Sequence, residues 1–200
     1  MFRIAVLVSG NGSNLQAIID AKKEGYLNVK IASVIADRDC FALQRAKDNG
    51  ISTYLLSKKD PNFQNYLYNI LTKNADLVVC AGFLSIIEKK IIDRFRNKII
   101  NIHPALLPSF GGKGMYGEKV HRKVLEYGVK ISGCTVHFID ENVDCGPIIF
   151  QYALPVLDDD DVNSLSQRIL VFEHQLIVEA IKLISLNKIK VEGRKVTILS

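Results

Sequence analysis

The chain has 200 residues, of which 48% are hydrophobic and 24% are charged. This length fits one domain with a sizeable core, and the composition is typical of a globular protein. The longest nearly apolar run, 77–87, falls short of the roughly 20 residues that cross a bilayer. A net charge of +5 favours anionic partners. The basic residues are scattered, so small phosphorylated or carboxylated substrates fit at least as well as nucleic acid. We expect neither nucleic acid nor a membrane as a partner.

The cysteines and histidines indicate neither disulfides nor a metal site. No C-x-x-C pair and no H-x-x-x-H spacing occurs among Cys40, Cys80, Cys134, Cys145, His103, His121, His137 and His174. We therefore predict reduced thiols, a cytoplasmic protein and no metal.

The first half alternates β-branched apolar runs with amphipathic stretches. The predicted strands are 3–9, 29–36, 52–56, 76–81 and 98–102, and the predicted helices are 13–23, 41–49, 61–73 and 88–95. Asp60-Pro61 predicts an N-cap followed by proline at the first helical position. The alternation predicts an α/β fold with a Rossmann-like, doubly wound, mostly parallel sheet.

The pattern changes after residue 103. A loop over 103–116 precedes a helix at 118–127, two strands at 132–139 and 147–154, a long helix at 162–186 and a hairpin of 190–192 with 195–199. We expect mixed or antiparallel strands here, and alternating residues in 136–139 suggest a strand with two distinct faces. The run 158–161 is best explained as an acidic N-cap of the long helix, rather than as a cation site.

Asn101 and His103 form the most informative pair. They lie two apart at the end of a predicted strand, so their side chains project from one face. An amide N–H stabilises a developing oxyanion, and an imidazole carries a proton near neutral pH. Pro104 favours an extended conformation at His103. This pattern indicates acyl transfer, with a carboxylate from Asp140, Glu141 or Asp144 as a partner; the residues alone leave the choice open.

The turn Ser9-Gly10-Asn11-Gly12-Ser13-Asn14 lies between the first strand and the first helix. Its glycines and the helix N-terminus suit a phosphate. A dinucleotide fingerprint with Asp37 as the ribose acid is the alternative, but Leu15 replaces its third glycine. Plain turn chemistry remains open as well. In the long helix, Glu173-His174 is either a functional site or a pair of solvated polar positions.

Five motifs in register resemble one family. They are Ser9-Gly10-Asn11-Gly12-Ser13-Asn14-Leu15-Gln16, Ala81-Gly82-Phe83-Leu84, Asn101-Ile102-His103-Pro104-Ala105-Leu106-Leu107-Pro108-Ser109-Phe110, Gly133-Cys134-Thr135-Val136-His137-Phe138 and Asp144-Cys145-Gly146-Pro147. Together they resemble the phosphoribosylglycinamide formyltransferases, also called glycinamide ribonucleotide transformylases, over residues 1 to about 186. The resemblance implies formyl transfer from 10-formyltetrahydrofolate, as co-substrate, to the amine of glycinamide ribonucleotide in purine synthesis.

The resemblance also implies the roles of individual residues. The catalytic residues would be Asn101, His103 and Asp144. The ribonucleotide and its phosphate would be bound by Gly12, Ser13, Asn14, Leu15, Gln16 and Glu173. The folate would be bound by Leu84, Ser85, Ile86, Ile87, Asn101, Asp140, Glu141 and Asp144. We expect a single domain over 1–200, with a phosphate-binding half at about 1–103 and a folate-binding, catalytic-turn half at about 104–200.

Two features depart from the family or vary within it. Ser85 stands where the family often has arginine, and the glycine-rich stretch 111–117 is expected to be a mobile lid. The competing hypotheses are a formyltetrahydrofolate hydrolase, a methionyl-tRNA formyltransferase and a non-catalytic nucleotide-binding module. The first two usually carry an additional domain, which we do not expect here.

Overall fold

The computed structural model describes residues 1–199. The chain divides into two compact units, Met1–Asn101 and the residues from Ile102 onward. The first unit contains, in chain order, β1 (Phe2–Val8), α1 (Ser13–Lys23), β2 (Val29–Ala36), α2 (Phe41–Asp48), β3 (Thr53–Leu55), α3 (Phe63–Asn74), β4 (Leu77–Cys80), α4 (Lys89–Arg94) and the start of β5 (Ile99–His103).

The strands of the first unit are parallel and follow the order β3-β2-β1-β4-β5. β1 and β4 are apolar and buried throughout their centres, as expected where helices cover both faces of a parallel sheet. Because parallel strands end at one edge, the residues after β1, β2 and β4 share the carboxyl edge, where such sheets bind ligands. The glycine turn and the segment after β4 therefore lie at the same edge.

The second unit contains the end of β5 and then α5 (Glu118–Tyr127), β6 (Ile131–Phe138), β7 (Ile148–Pro155), α6 (Val162–Ser185), β8 (Ile189–Glu192) and β9 (Lys195–Ile198). β6 and β7 are antiparallel, and β8 and β9 form a separate hairpin. The apolar stripe of α6 packs on β6, β7 and α5, and its buried members include Leu165, Ile169, Ile177 and Ile181.

The predicted fold class is confirmed. β1 to β7 make a seven-stranded, mostly parallel sheet with one antiparallel part, flanked by helices. The acidic start of α6 is also confirmed as a cap. Asp161 accepts a hydrogen bond from the Ser164 amide, and the Ser164 hydroxyl accepts one from the Asp161 amide.

Two local predictions are wrong. α3 begins at Phe63, not at Pro61, because the Asp60 carboxylate accepts from the Asn62 amide at 2.8 Å and closes a turn of its own before the helix. β6 does not have a buried face and an exposed face, since seven of its eight residues are buried. A strand enclosed on both sides carries side chains of mixed polarity when the polar ones have partners.

Among the helices of residues 1–199, none combines the length and apolar character needed to cross a membrane.

Candidate active site

Asn101 and His103 lie two residues apart in β5, as the sequence predicts. Asn101 is half-buried and His103 is only 3% exposed. Since side chains at i and i+2 of a strand share a face, the amide and the imidazole project in the same direction.

Asp144 is the acid that reaches His103. Its Oδ2 lies 3.6 Å from Nδ1 of His103, an ion-pair distance slightly longer than a hydrogen bond. Glu141 is exposed, and the Asp140 carboxylate accepts from the Asn142 amide at 2.9 Å. Chain folding therefore brings the Asp144 carboxylate, one of the three acids that the residues alone left open, to ion-pair distance from His103.

The backbone of the Asp144 turn is tightly constrained. Asp144 has a φ of 57°, in the left-handed region that non-glycine residues seldom adopt. At Gly146, an added Cβ would lie 1.8 Å from the carbonyl oxygen of Phe138 in β6. Only glycine fits this close approach, which presses the turn against the end of β6.

His137 is a site residue to which sequence reasoning gave no role. Its Nε2 lies 3.7 Å from Oδ1 of Asp144, and its Nδ1–H donates to the Phe138 carbonyl at 2.9 Å. Burial lowers the pKa of His137, against the opposing effect of Asp144. The carboxylate thus stands between two imidazoles, one facing each oxygen. The sequence does carry one indication of a role for His137, because this residue lies within the motif Gly133-Cys134-Thr135-Val136-His137-Phe138.

The loop after β5 contacts both groups. The carbonyl of Phe110 accepts a 2.8 Å hydrogen bond from Nε2 of His103, and the amide of Gly112 donates to Oδ2 of Asp144 at 2.9 Å. A Cβ at Gly111 would lie 3.2 Å from Cβ of Asp144 and 2.5 Å from a leucine methyl. The start of the glycine-rich stretch is therefore fitted closely to the carboxylate; the predicted mobility of 111–117 stays a prediction.

His121 of α5 is a second histidine that sequence reasoning missed. It is 3% exposed, and burial, aided by the charge of His103, lowers its pKa to about 4. It is therefore neutral at physiological pH.

This arrangement equips His103 for proton chemistry. A protonated imidazole has an acceptor for each N–H: the Phe110 carbonyl at Nε2 and the Asp144 carboxylate near Nδ1. A cationic donor beside an amide, at a strand end, is suited to stabilising an oxyanion that develops during acyl transfer.

The glycine turn of the first unit is shaped for close packing. Gly12 has a φ of 76°, and a Cβ there would lie 2.6 Å from Cβ of Ala42. Arg45 of α2 donates to the Asn11 carbonyl at 2.8 Å and to the Gln16 side chain at 3.2 Å. Arg45 was not predicted, because it lies 34 residues from the turn that it holds.

Leu15, where a dinucleotide fingerprint has its third glycine, is fully buried in the core. The Asp37 side chain is completely inaccessible and is held by Arg38 and Ser85. Asp37 is therefore not presented to a ribose, and the dinucleotide-binding interpretation loses its acid.

Glu173 lies on the buried side of α6, with 8% exposure. It approaches the thiol of Cys134, whose pKa is raised to about 12 by burial and, secondarily, by the Glu173 charge. Next to it, burial lowers the pKa of His174. The interpretation of this pair as solvated polar positions is wrong.

The cysteines are reduced: Cys80 and Cys134 are buried, Cys40 is half-buried and Cys145 is exposed. Within residues 1–199, no group of three or more His, Cys, Asp or Glu side chains is arranged to hold a metal ion.

The fold, together with the cluster of Asn101, His103 and Asp144, defines a class of protein. Residues 2–181 match the family model described as formyl transferase, and because the match covers most of the chain, the chain belongs to the formyl transferase family.

Individual proteins of known name resemble this chain over most of its length. The chloroplastic phosphoribosylglycinamide formyltransferase of Vigna unguiculata is 41% identical over 186 residues, which are 90% of this chain and 60% of that protein. The trifunctional purine biosynthetic protein adenosine-3 of Homo sapiens is 39% identical, over 92% of this chain and 18% of its own length. The crystal structure of glycinamide ribonucleotide transformylase 1 from Symbiobacterium toebii superposes with a TM-score of 0.93 at 42% identity, covering 100% of this chain and 95% of that one.

Proposed function

We propose that this protein transfers the formyl group of 10-formyltetrahydrofolate to the primary amine of phosphoribosylglycinamide, a step of purine synthesis. One observation carries the proposal: in a formyl transferase fold, Asp144 pairs with His103, which lies two residues after Asn101 at the end of the fifth strand. It is supported by relatives that bear this activity in their names.

In the reaction, the neutral amine attacks the formyl carbon, so that a C–N bond forms and an oxyanion develops. Asn101 and protonated His103 are the proposed donors to that oxyanion. The bond from the formyl carbon to the folate nitrogen then breaks, and a proton lost by the amine reaches that nitrogen. Asp144 is the proposed acceptor that helps remove this proton, directly or through water, and it also orients His103.

The proposed phosphate site is the turn before α1. Its members are Gly12, Ser13, Asn14, Leu15 and Gln16. The amide N–H groups at the start of α1 and the guanidinium of Arg45, which holds this turn, favour an anion. Glu173, buried on α6, is the proposed contact for the glycinamide end.

The proposed folate contacts are the segment Leu84–Ile87 and the turn that contains Asp140, Glu141 and Asp144. Leu84 and Ile86 are large apolar side chains with 43% and 66% exposure, which suits an aromatic ring system. The folate carries the activated one-carbon unit, so the protein needs to supply orientation and charge stabilisation.

We propose that the chain is a single domain, with phosphate binding in its first half and catalysis in its second half. We also propose a cytoplasmic location, which is consistent with the reduced thiols.

The test is formyl transfer by the purified protein with 10-formyltetrahydrofolate, measured with phosphoribosylglycinamide, with its dephosphorylated riboside and without an acceptor. We expect turnover that depends on the ribonucleotide and falls sharply when the phosphate is absent. Asp144→Asn serves as a control for contaminating activity, because a co-purified enzyme would be unaffected by this substitution, whereas the intrinsic activity should fall by about 10² or more.

The alternatives give different results. Deformylation independent of the ribonucleotide would identify a formyltetrahydrofolate hydrolase, and ribonucleotide binding without turnover would identify a non-catalytic module. Either result overturns the proposal.

A further inference from the structure

Asp37, at the carboxyl end of β2, is a fully buried charge with several donors. Its side chain has 0% exposure. Arg38 donates to both carboxylate oxygens, at 2.9 and 2.8 Å, and the hydroxyl of Ser85 donates to Oδ2 at 2.6 Å. A buried carboxylate is tolerated only when it is paired and hydrogen-bonded in this way.

Ser9, at the end of β1, extends this network to the backbone after β4. Its hydroxyl oxygen accepts from the amide of Leu84 at 2.9 Å, while its hydroxyl group also hydrogen-bonds to Asp37. Burial opposes ionisation of Asp37, but the hydrogen bonds from Arg38, Ser85 and Ser9 prevail and lower its pKa. The ends of three adjacent strands are thus joined through one carboxylate.

The other end of the segment is held by α3. The side-chain amide of Gln64 donates to the Ile86 carbonyl at 2.7 Å, and its oxygen accepts from the Glu88 amide at 3.2 Å. Gln64 therefore bridges the backbone on both sides of Ile87.

Between these anchors the segment has no regular secondary structure. It nevertheless presents Leu84 and Ile86 to solvent, at 43% and 66% exposure. Irregular backbone that displays apolar side chains is normally mobile, and ordering it on binding costs affinity. Here the ordering is already supplied by the side chains of Ser9 and Asp37, which directly follow β1 and β2, and of Gln64 in α3.

We propose that Asp37 is a positioning residue for the folate: through Ser85 and Ser9 it fixes the backbone of Leu84–Ile87 in the conformation that receives the pteridine. The inference rests on the proposed function, since it takes this segment as a folate contact. It assigns a role to the departure at Ser85, because a short hydroxyl reaches the buried carboxylate at 2.6 Å and ties the segment inward.

The kinetic test compares Ser85→Ala and Asp37→Asn with the natural protein, using KM values for both substrates. Losing a hydrogen bond to a charged group should raise KM for 10-formyltetrahydrofolate by about tenfold. KM for the ribonucleotide should stay within about twofold, a split that general destabilisation would not produce. Ser85→Thr, which retains the hydroxyl, should restore most of the folate affinity. Ser57→Ala is the matched control, because Ser57 is exposed after β3 and its hydroxyl accepts a hydrogen bond from the Lys59 amide of its own turn.

A second measurement is independent of catalysis. Hydrogen exchange of the ligand-free protein should show faster exchange across 84–88 in Ser85→Ala and unchanged exchange there in Ser57→Ala. If Asp37→Asn fails to fold, the serine variants still decide the question. Unchanged folate KM together with unchanged exchange in Ser85→Ala would overturn the positioning role. If the natural protein shows no ribonucleotide-dependent transfer, the proposed function is wrong. The exchange data would still show whether the hydrogen bonds of Asp37, Ser85 and Ser9 order the segment Leu84–Ile87.

Discussion

Asn101 and His103 represent two ways of stabilising negative charge from one strand face. The amide is a fixed dipole, whereas the imidazole adds a full charge when protonated and exchanges protons. The Asp144 carboxylate lies between two imidazoles, with Oδ2 facing His103 and Oδ1 facing His137, so that the three side chains form one connected cluster. Substitutions within this cluster are therefore expected to be non-additive.

Replacement of Asn101 by alanine removes an amide without removing a charge. We expect Asn101→Ala to fold normally and to lose a factor of about 10² or more in kcat, because one oxyanion donor contributes about 2.7–4 kcal/mol to the barrier. Steady-state kinetics with saturating substrates measure this effect. Asn65→Ala, at an exposed position of α3, is the control. Near-normal turnover of Asn101→Ala would remove this residue from the mechanism.

At the scale of elements, the hairpin of β8 and β9 supports the turn that contains Asp144. Arg194, in the turn between β8 and β9, donates from Nη1 to the carbonyl of Cys145 at 2.8 Å. Cys145 follows Asp144 directly, and Asp144 has the strained positive φ described above. The hairpin therefore helps to hold the backbone that aims the carboxylate at His103.

We expect Arg194→Ala to lower kcat by a few-fold, since the hydrogen bond is solvent-accessible and contributes only about 1 kcal/mol. The folate and ribonucleotide KM values should change less than kcat. Lys195→Ala, at the neighbouring exposed position, is the control for loss of a surface cation. Identical kcat values for Arg194→Ala and the natural protein would show that the hairpin does not support the turn.

The elements were largely predictable because their hydrophobic periods are strong: α1, β2 and α5 match their predicted limits, and the other elements match theirs within about two residues. The failures are local. The start of α3 depends on a side-chain turn at Asp60, and the enclosure of β6 depends on tertiary packing. His137, His121 and Arg45 were missed for a similar reason, since only folding brings them to Asp144, His103 and Asn11.

At the scale of the whole molecule, buried histidines couple stability to pH. His121 has a pKa of about 4 in the folded protein and a usual value of 6.5. Between these two pH values the unfolded chain therefore binds a proton at His121 that the folded protein does not bind. This contribution to stability is complete above pH 6.5 and is lost as the pH falls towards 4. Its size is up to about 3 kcal/mol.

We therefore expect the free energy of unfolding to fall less steeply between pH 6.5 and 4 in His121→Leu than in the natural protein. Urea unfolding at several pH values measures both curves, with their difference at pH 7.5 as the reference for any packing change. Parallel curves would show that another group, such as His137 or His174, accounts for the dependence.

The exposed thiol of Cys145 is accessible to thiol reagents, and it lies in the same turn as Asp144. Burial raises the pKa of the Cys80 and Cys134 thiols to about 12, and it also raises that of Cys40. A maleimide at neutral pH should therefore label Cys145 selectively, which places a fluorophore one residue from Asp144. The same selectivity would let a folate analogue that carries a mild electrophile attach irreversibly, so that this position offers a route to covalent inhibitors of this chain.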